Sequence, residues 1–404
     1  MREPHMMGVL SAHFAKGKKA FSFEYDKSWI KSEQRWLIDP DIQFFSGTQF
    51  PNNKENFGVF LDSMPDTWGR TLMKRRAAQQ AKEHPDIPGI KPPILYDIDF
   101  LLGVYDESRM GALRFKTDPD GPFLDNNSET PTPPWSSIRE LQHAADSLER
   151  DEDNEEVNKW LAILIAPGSS LGGARPKANI LDEHKELWIA KFPSKNDTLD
   201  KGAWEYLAYQ LAIKAGITMA PSRIEKIAGK HHTFFTKRFD REKGERIHFA
   251  SAMTMTGNSE DTIRDNPASY LDIADFIQTY GVNINENLAQ LWRRIIFNIA
   301  ISNTDDHLRN HGFILTDTGW KLSPAYDLNP SVDKDGLALN IDMDNNALDF
   351  DLAKSVGDFF RLDEKQMDDI IQQVINSVSQ WEKVADRIGI PRSEKDLMRA
   401  AFKI

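Results

Sequence analysis

The stretch "ISNTDDHLRNHGF", Ile301–Phe313, carries two Asp, two His, two Asn and an Arg. It follows "ENLAQLWRRIIFNIAI", where Leu288, Leu291, Trp292, Ile295, Ile296 and Ile299 recur at helical spacing and form one apolar stripe. It precedes "FILTDTGWKLSPAYDLNP", which reads as strand, turn at Thr316–Gly319, strand, and then Asp327. A core helix therefore anchors the polar loop on one side. A hairpin on the other side returns Asp327 to its neighbourhood.

Four residues separate Asp305 from Asn310. Asp-x-x-x-x-Asn is the spacing of a protein-kinase catalytic loop, in which the Asp accepts the substrate hydroxyl proton and the Asn holds Mg²⁺. A later Asp holds the metal from the other side. Hard oxygen donors suit Mg²⁺, and a base needs a carboxylate within hydrogen-bond reach of the attacking hydroxyl. The same residues also serve as ordinary caps of helices and turns, and Asp306 competes with Asp305 for the role of base.

Two further segments bear on phosphate chemistry. "APGSSLGGARPKANI" brings Gly168, Gly172 and Gly173 near Lys177. Glycines let backbone N–H groups approach a phosphate closely, although the stretch matches neither the Gly-x-Gly-x-x-Gly nor the Walker A pattern and also reads as a turn. Lys191 in "LWIAKFPS" sits in an alternating strand. It meets a nucleotide if it faces a cleft and does nothing if it faces water. Glu205, early in the following helix, is either its partner or a solvated helical residue.

The rest of the chain sets the frame. With 404 residues the chain exceeds one ordinary core, so two or three subdomains are expected. Hydrophobic residues make up 40% and charged residues 28%, a globular balance. No apolar run approaches the roughly 18 residues of a membrane span. The opening "MREPHMMGVLSAHF" has no signal-peptide apolar region, so a cytoplasmic location is expected. The absence of cysteine excludes disulfides, thiol nucleophiles and Cys-built zinc sites. Fifty basic against 62 acidic residues give a formal charge of −12, which disfavours general nucleic-acid binding.

Residues 9–45 alternate and suggest short strands. Residues 57–83 read as helix, and 98–116 as a short helix followed by a strand. "KTDPDGPFLDNNSETPTPPW" has no period and marks a boundary near residue 120. A helical pattern spans 136–166. Residues 187–192 and 233–239 read as strands around the helix "AWEYLAYQLAIKAG", which Gly216 ends. Beyond about residue 245 the chain turns mostly helical. There, Met367, Ile370, Ile371, Val374, Val378 and Trp381 form a second stripe.

The segments "SSLGGARPKA", "IAKFPS", "KRFDR", "NTDDHLRN" and "PAYDLNP", in this order, resemble the HipA family of bacterial type II toxin–antitoxin serine/threonine kinases. "FGVFLDSMPDTWGR" and "LLGVYDESRMGALRF" are similar to that family's first subdomain. The resemblance covers nearly the whole chain, with only helical filler after about residue 350. It implies an α+β, protein-kinase-like two-lobed fold with an extra N-terminal α/β subdomain and an all-helical C-terminal lobe. The expected division is 1–120 for the N-terminal subdomain, 121–245 for the N-lobe-like region and 246–404 for the C-lobe.

The resemblance also implies site residues. The loop over ATP becomes Gly172, Gly173, Ala174, Arg175 and Lys177, and the phosphate-meeting lysine becomes Lys191. The adenine hinge becomes Lys237, Arg238 and Phe239. Asp305 is the expected base, Asn310 and Asp327 the Mg²⁺ ligands, and His307 and Tyr326 further nucleotide contacts. Ser170 fits the family's autophosphorylation position, with Ser169 beside it. The implied partners are a small helix-turn-helix antitoxin resembling HipB, DNA through that antitoxin, and a protein substrate such as an aminoacyl-tRNA synthetase. A nucleotide-binding corepressor with little kinase activity and a small-molecule kinase are the alternatives.

Overall fold

The computed structural model describes residues 3–15, 18–32, 36–83, 93–126, 132–150, 161, 164 and 173–404. Its strands are β1 (Gly8–Ala15), β2 (Lys18–Tyr25), β3 (Lys177–Leu181), β4 (Leu187–Lys191), β5 (Ser222–Glu225), β6 (Thr233–Lys237), β7 (Arg241–Glu242), β8 (Glu245–Arg246), β9 (Phe249–Ser251), β10 (Gly312–Thr316) and β11 (Gly319–Leu322). β1 and β2 form an antiparallel hairpin, and residues beyond it turn into the short helix Lys27–Lys31 rather than more sheet. The helical stretch 57–83 is two helices, Gly58–Asp62 and Thr67–Glu83. Pro65 explains the break, since a residue preceding proline is pushed out of the helical region.

Residues 98–116 begin with the helix Asp97–Leu102, but the expected strand is reduced to one bridge, Phe115 to Leu124. Side chains satisfy this segment in place of a ladder. The buried Arg109 guanidinium donates to the carbonyls of Ser63, Val104 and Leu124 at 2.8–3.1 Å.

The central sheet is antiparallel in the order β3-β4-β6-β5. Its register sets Lys177 directly opposite Lys191. One face packs on the helix Ile138–Glu149 and on Trp68 and Leu72 of the helix Thr67–Glu83. The helix Lys201–Lys214 leaves this region and buries Trp204, Leu207, Ala208 and Leu211 in the large C-terminal core. Asp200 caps its start, accepting from the Ala203 N–H, and Gly216 at φ +80° closes its end.

In the C-terminal region the helix Ile284–Ala300 is the axis. Leu288, Leu291, Trp292, Ile295, Ile296 and Ile299 are all fully buried. The helix Glu364–Val378 buries Met367, Ile370, Val374 and Val378 against the same core. The expectation of an all-helical lobe is corrected here, because β9, β10 and β11 form a three-stranded sheet in the order β11-β10-β9. Burial of Phe313, Trp320 and Leu322 against the helices favours that sheet over more helix. No described helix is long and apolar enough to cross a membrane.

Candidate functional site

The helix Ile284–Ala300 ends at Ile301, and Ser302 takes a left-handed conformation at φ +50° that turns the chain into the polar loop. The Ser302 hydroxyl donates to the Ala401 carbonyl at 2.7 Å, which ties the turn to the chain's last helical segment. A single 3₁₀ turn, Leu308–Asn310, leads into β10. The β10–β11 hairpin pairs Thr316 with Gly319 and Phe313 with Leu322, as the sequence pattern implies. It delivers Asp327 at φ +60°, with its carboxylate 2.7 Å from Lys191 Nζ.

Lys191 is the centre of the site. Its ammonium lies 2.5 Å from Glu205 Oε1 as well as 2.7 Å from Asp327 Oδ1. Burial disfavours its charge, but the two carboxylates outweigh burial and raise its pKa above the usual lysine value. Burial likewise pushes Asp327 up. Lys191 beside it wins and holds the carboxyl well below the ordinary range, with Lys177 adding to the effect. Glu205 is the one carboxylate of the set whose pKa burial raises despite the lysine. Of the readings open for Lys191 and Glu205, the structure selects the paired, cleft-facing one.

The two adjacent acids of the loop separate cleanly. The Asp306 carboxylate is buried and accepts from Tyr270 Oη at 2.6 Å and Asn298 Nδ2 at 2.9 Å, with His311 Nε2 at 2.7 Å. It is a structural hub. The Asp305 side chain is 81% exposed, and among the described residues its ion-pair partner is Lys334, at 3.9 Å. It lines a cavity of about 420 Å³ together with Gly173, Arg175, Lys177, Lys191, Glu205 and Asp327. A second, narrower cavity shares Lys191, Glu205 and Asp327 and continues past Lys237, Arg238, Phe239 and Tyr326 between Ile189, Phe234 and Leu328. One cleft thus runs from an apolar end to a charged mouth.

Asn310 and His307 are on neither cavity wall. Asn310 donates its amide to the Asp305 carbonyl at 3.1 Å. Its Oδ1 is buried and has no hydrogen-bond partner among the described residues, as is the case for His307 Nδ1. An orphaned amide oxygen and an ionised Asp327 are the oxygen donors that suit Mg²⁺. Among the described residues no cluster of three His, Asp or Glu is shaped to hold a metal.

Of the three residues expected at the hinge, the Arg238 guanidinium is fully buried, fixed to Asp240 and to the Ser108 carbonyl at 2.8 Å, so the charge at this position serves the fold. Lys237 pairs with Glu186 at 2.6 Å. Phe239 stacks on Tyr326 at 5.9 Å, and Tyr326 Oη donates to the Arg309 carbonyl at 2.8 Å. Arg175 makes two bonds to Asp197, at 3.0 and 2.7 Å. Ala174 follows Gly173 at the cavity edge without lining it. Ser169, Ser170, Gly168 and Gly172 lie outside the described residues.

Sequence reasoning missed Asp66, whose carboxylate is 2.7 Å from Lys177 Nζ. The available signal was a Pro-Asp-x-Trp-Gly run opening a helix, which reads only as a cap. It also missed Asn329, whose amide donates to Asp327 at 3.2 Å.

A buried lysine held between two carboxylates, beside an Asp-x-x-x-x-Asn loop, matches the phosphate-handling parts of the protein-kinase class. The family model for the HipA-like C-terminal domain matches residues 169–381, just over half of the chain. The chain belongs to the HipA-like kinase family. The "Putative kinase" of Haemophilus influenzae is 28% identical over 214 residues, 46% of this chain and 62% of that protein. The "Putative kinase Y4mE" of Sinorhizobium fredii is 24% identical over 148 residues, 35% of this chain and 33% of that protein. The chain therefore spans under two thirds of either relative. A chain from the solved complex of the Shewanella oneidensis MR-1 toxin–antitoxin system HipA, HipB and its operator DNA superposes with a TM-score of 0.64 at 18% identity, over 98% of this chain and 94% of that one. At that identity the likeness concerns the fold.

Proposed function

We propose that this protein is an ATP- and Mg²⁺-dependent serine/threonine protein kinase that acts as the toxin of a toxin–antitoxin pair. The observation that carries the reading is Lys191 fixed between Glu205 and Asp327 in the cleft that the exposed Asp305 also lines. In this reading the apolar end, with Phe239 and Tyr326, receives the adenine, and Lys191 and Lys177 receive the phosphates. Among the described residues Asp305 has no strong partner, as a base needs in order to accept the proton of an incoming hydroxyl. Asp306 holds the loop rigid from below, so that Asp305 keeps its position without reorganisation. Asn310 and Asp327 would hold Mg²⁺, which supplies neutralisation of phosphate charge. Phosphoryl transfer needs little more than such positioning and electrostatics.

The substrate is a protein hydroxyl, with a translation component such as an aminoacyl-tRNA synthetase as the expected target, and the chain modifies its own Ser170 or Ser169. A small helix-turn-helix antitoxin similar to HipB is the expected partner. The net charge of −12 supports DNA contact through that partner and not through this chain. The test is incubation with labelled ATP, Mg²⁺ and a bacterial lysate, followed by identification of the labelled protein. Label in a protein that depends on Asp305 supports the reading. Bound ATP with no transfer to any protein refutes it.

A further inference from the structure

Lys177 and Lys191 are direct cross-strand neighbours on β3 and β4, and both side chains are buried. Like charges placed opposite each other destabilise a sheet pair, and a buried charge needs a partner. Lys191 has two, Glu205 and Asp327. Lys177 has Asp66, at 2.7 Å, from the N-terminal region of the chain. Its remaining bond goes to the Gly173 carbonyl at 3.2 Å. An ammonium carries three donors, and among the described residues two are used, which leaves one at the wall of the large cavity.

Asp66 is itself fixed on its other oxygen. Its Oδ1 accepts from the Gly69 N–H at 2.9 Å and so caps the helix Thr67–Glu83. Trp68 Nε1 donates to the Lys177 carbonyl at 3.1 Å, which fixes the lysine's backbone from the same turn. Four residues earlier, Asp62 accepts from the Ser251 N–H at 2.7 Å and from Thr254 Oγ1 at 2.8 Å. The turn from Asp62 to Trp68 therefore ties β3 of the central sheet to β9 and the residues that follow it.

We propose that Asp66 is a positioning residue, which reaches from the N-terminal region to aim the Lys177 ammonium at the nucleotide phosphates. The inference rests on the proposed kinase reading, in which Lys177 meets phosphate. Without Asp66 the lysine would be a buried like-charged neighbour of Lys191, and the two ammoniums would separate. With it, both ammoniums stay at one end of the β3–β4 pair, each held by carboxylates, with donors toward the cavity.

The test uses the full chain and the variants Asp66→Asn, Lys177→Met and the double variant. Asparagine caps helices about as well as aspartate, so Asp66→Asn removes the charge and keeps the cap. Affinities for ATP with Mg²⁺ are read by calorimetry, and for adenosine by competition. Asp66→Asn should weaken ATP by about tenfold or more with adenosine held within about twofold, and the double variant should be no weaker than Lys177→Met, as for two residues acting as a unit. Equal losses for ATP and adenosine, or unchanged ATP affinity in Asp66→Asn beside a weakened Lys177→Met, overturn the positioning role and leave the kinase reading standing. Unchanged ATP affinity in Lys177→Met overturns the inference together with the phosphate contact assigned to Lys177.

Discussion

Replacing Asp305 by Asn should stop phosphoryl transfer at little cost in stability, whereas removing Asp306 should cost folding stability as well as transfer. The Asp305 side chain is 81% exposed, and its Lys334 partner stands 3.9 Å away. Exposed pairs of this kind are worth about 0–1 kcal/mol, so Asp305→Asn should change folding stability by less than that. A positioned base contributes about 10²–10⁴ in rate, equivalent to about 2.7–5.4 kcal/mol of barrier. Asp306 is different, because three buried groups converge on one oxygen: the Tyr270 hydroxyl, the Asn298 amide and the His311 ring. Asp306→Ala leaves all three without their acceptor, and breaking a buried charged network costs about 3–5 kcal/mol. The assays are urea unfolding and single-turnover transfer from labelled ATP. Near-normal transfer by Asp305→Asn would refute the assignment of the base. A loss of several kcal/mol in its stability would show that the loop geometry has been misread.

Asp327→Ala should weaken ATP binding in Mg²⁺ far more than in EDTA, and equal losses in the two conditions would make Asp327 a structural partner of Lys191 only. Burial pushes the Asp39 carboxyl up to about 6. The folded state then holds this proton more tightly than the unfolded chain, so the contribution is complete below about pH 4 and is lost as the pH rises through about 6, amounting to about 3 kcal/mol. Asp39→Asn should flatten the stability profile measured by urea unfolding across that window, and an unchanged slope would refute the assignment. Mass spectrometry after incubation with ATP and Mg²⁺ should find phosphate on Ser170 or Ser169. That form should lose ATP affinity, because a phosphoserine adds about −1.5 to −2 charge; calorimetry giving the same affinity for both forms would reject this.

Much of the C-terminal half was legible because its signals are local. The stripe from Leu288 to Ile299 repeats at helical spacing, and every member of it is buried. The hairpin from Gly312 to Leu322 carries its own turn and pairs in the expected register. In the N-terminal region the signals were weaker. Alternation over residues 9–45 suggested more sheet than the one hairpin found, because partly exposed strands and loops share the same composition. The strand expected near residue 116 failed because the Arg109 guanidinium supplies the bonds a ladder would have made.

The amino-acid order alone determined which residue types stand ready: an Asp-x-x-x-x-Asn loop, a later Asp327 and a strand lysine. It determined their separation along the chain, since spacing within one loop or hairpin survives folding unchanged. What it left open was choice between neighbours and between distant partners. Asp305 and Asp306 are adjacent and chemically identical in the sequence, and only burial makes one a hub and the other a free carboxylate. Lys191 lies 14 residues from Glu205 and 136 from Asp327, and Asp66 lies 111 from Lys177. A charge bears no mark of its future partner, because an ion pair acts over a few ångströms that only the packed chain brings about.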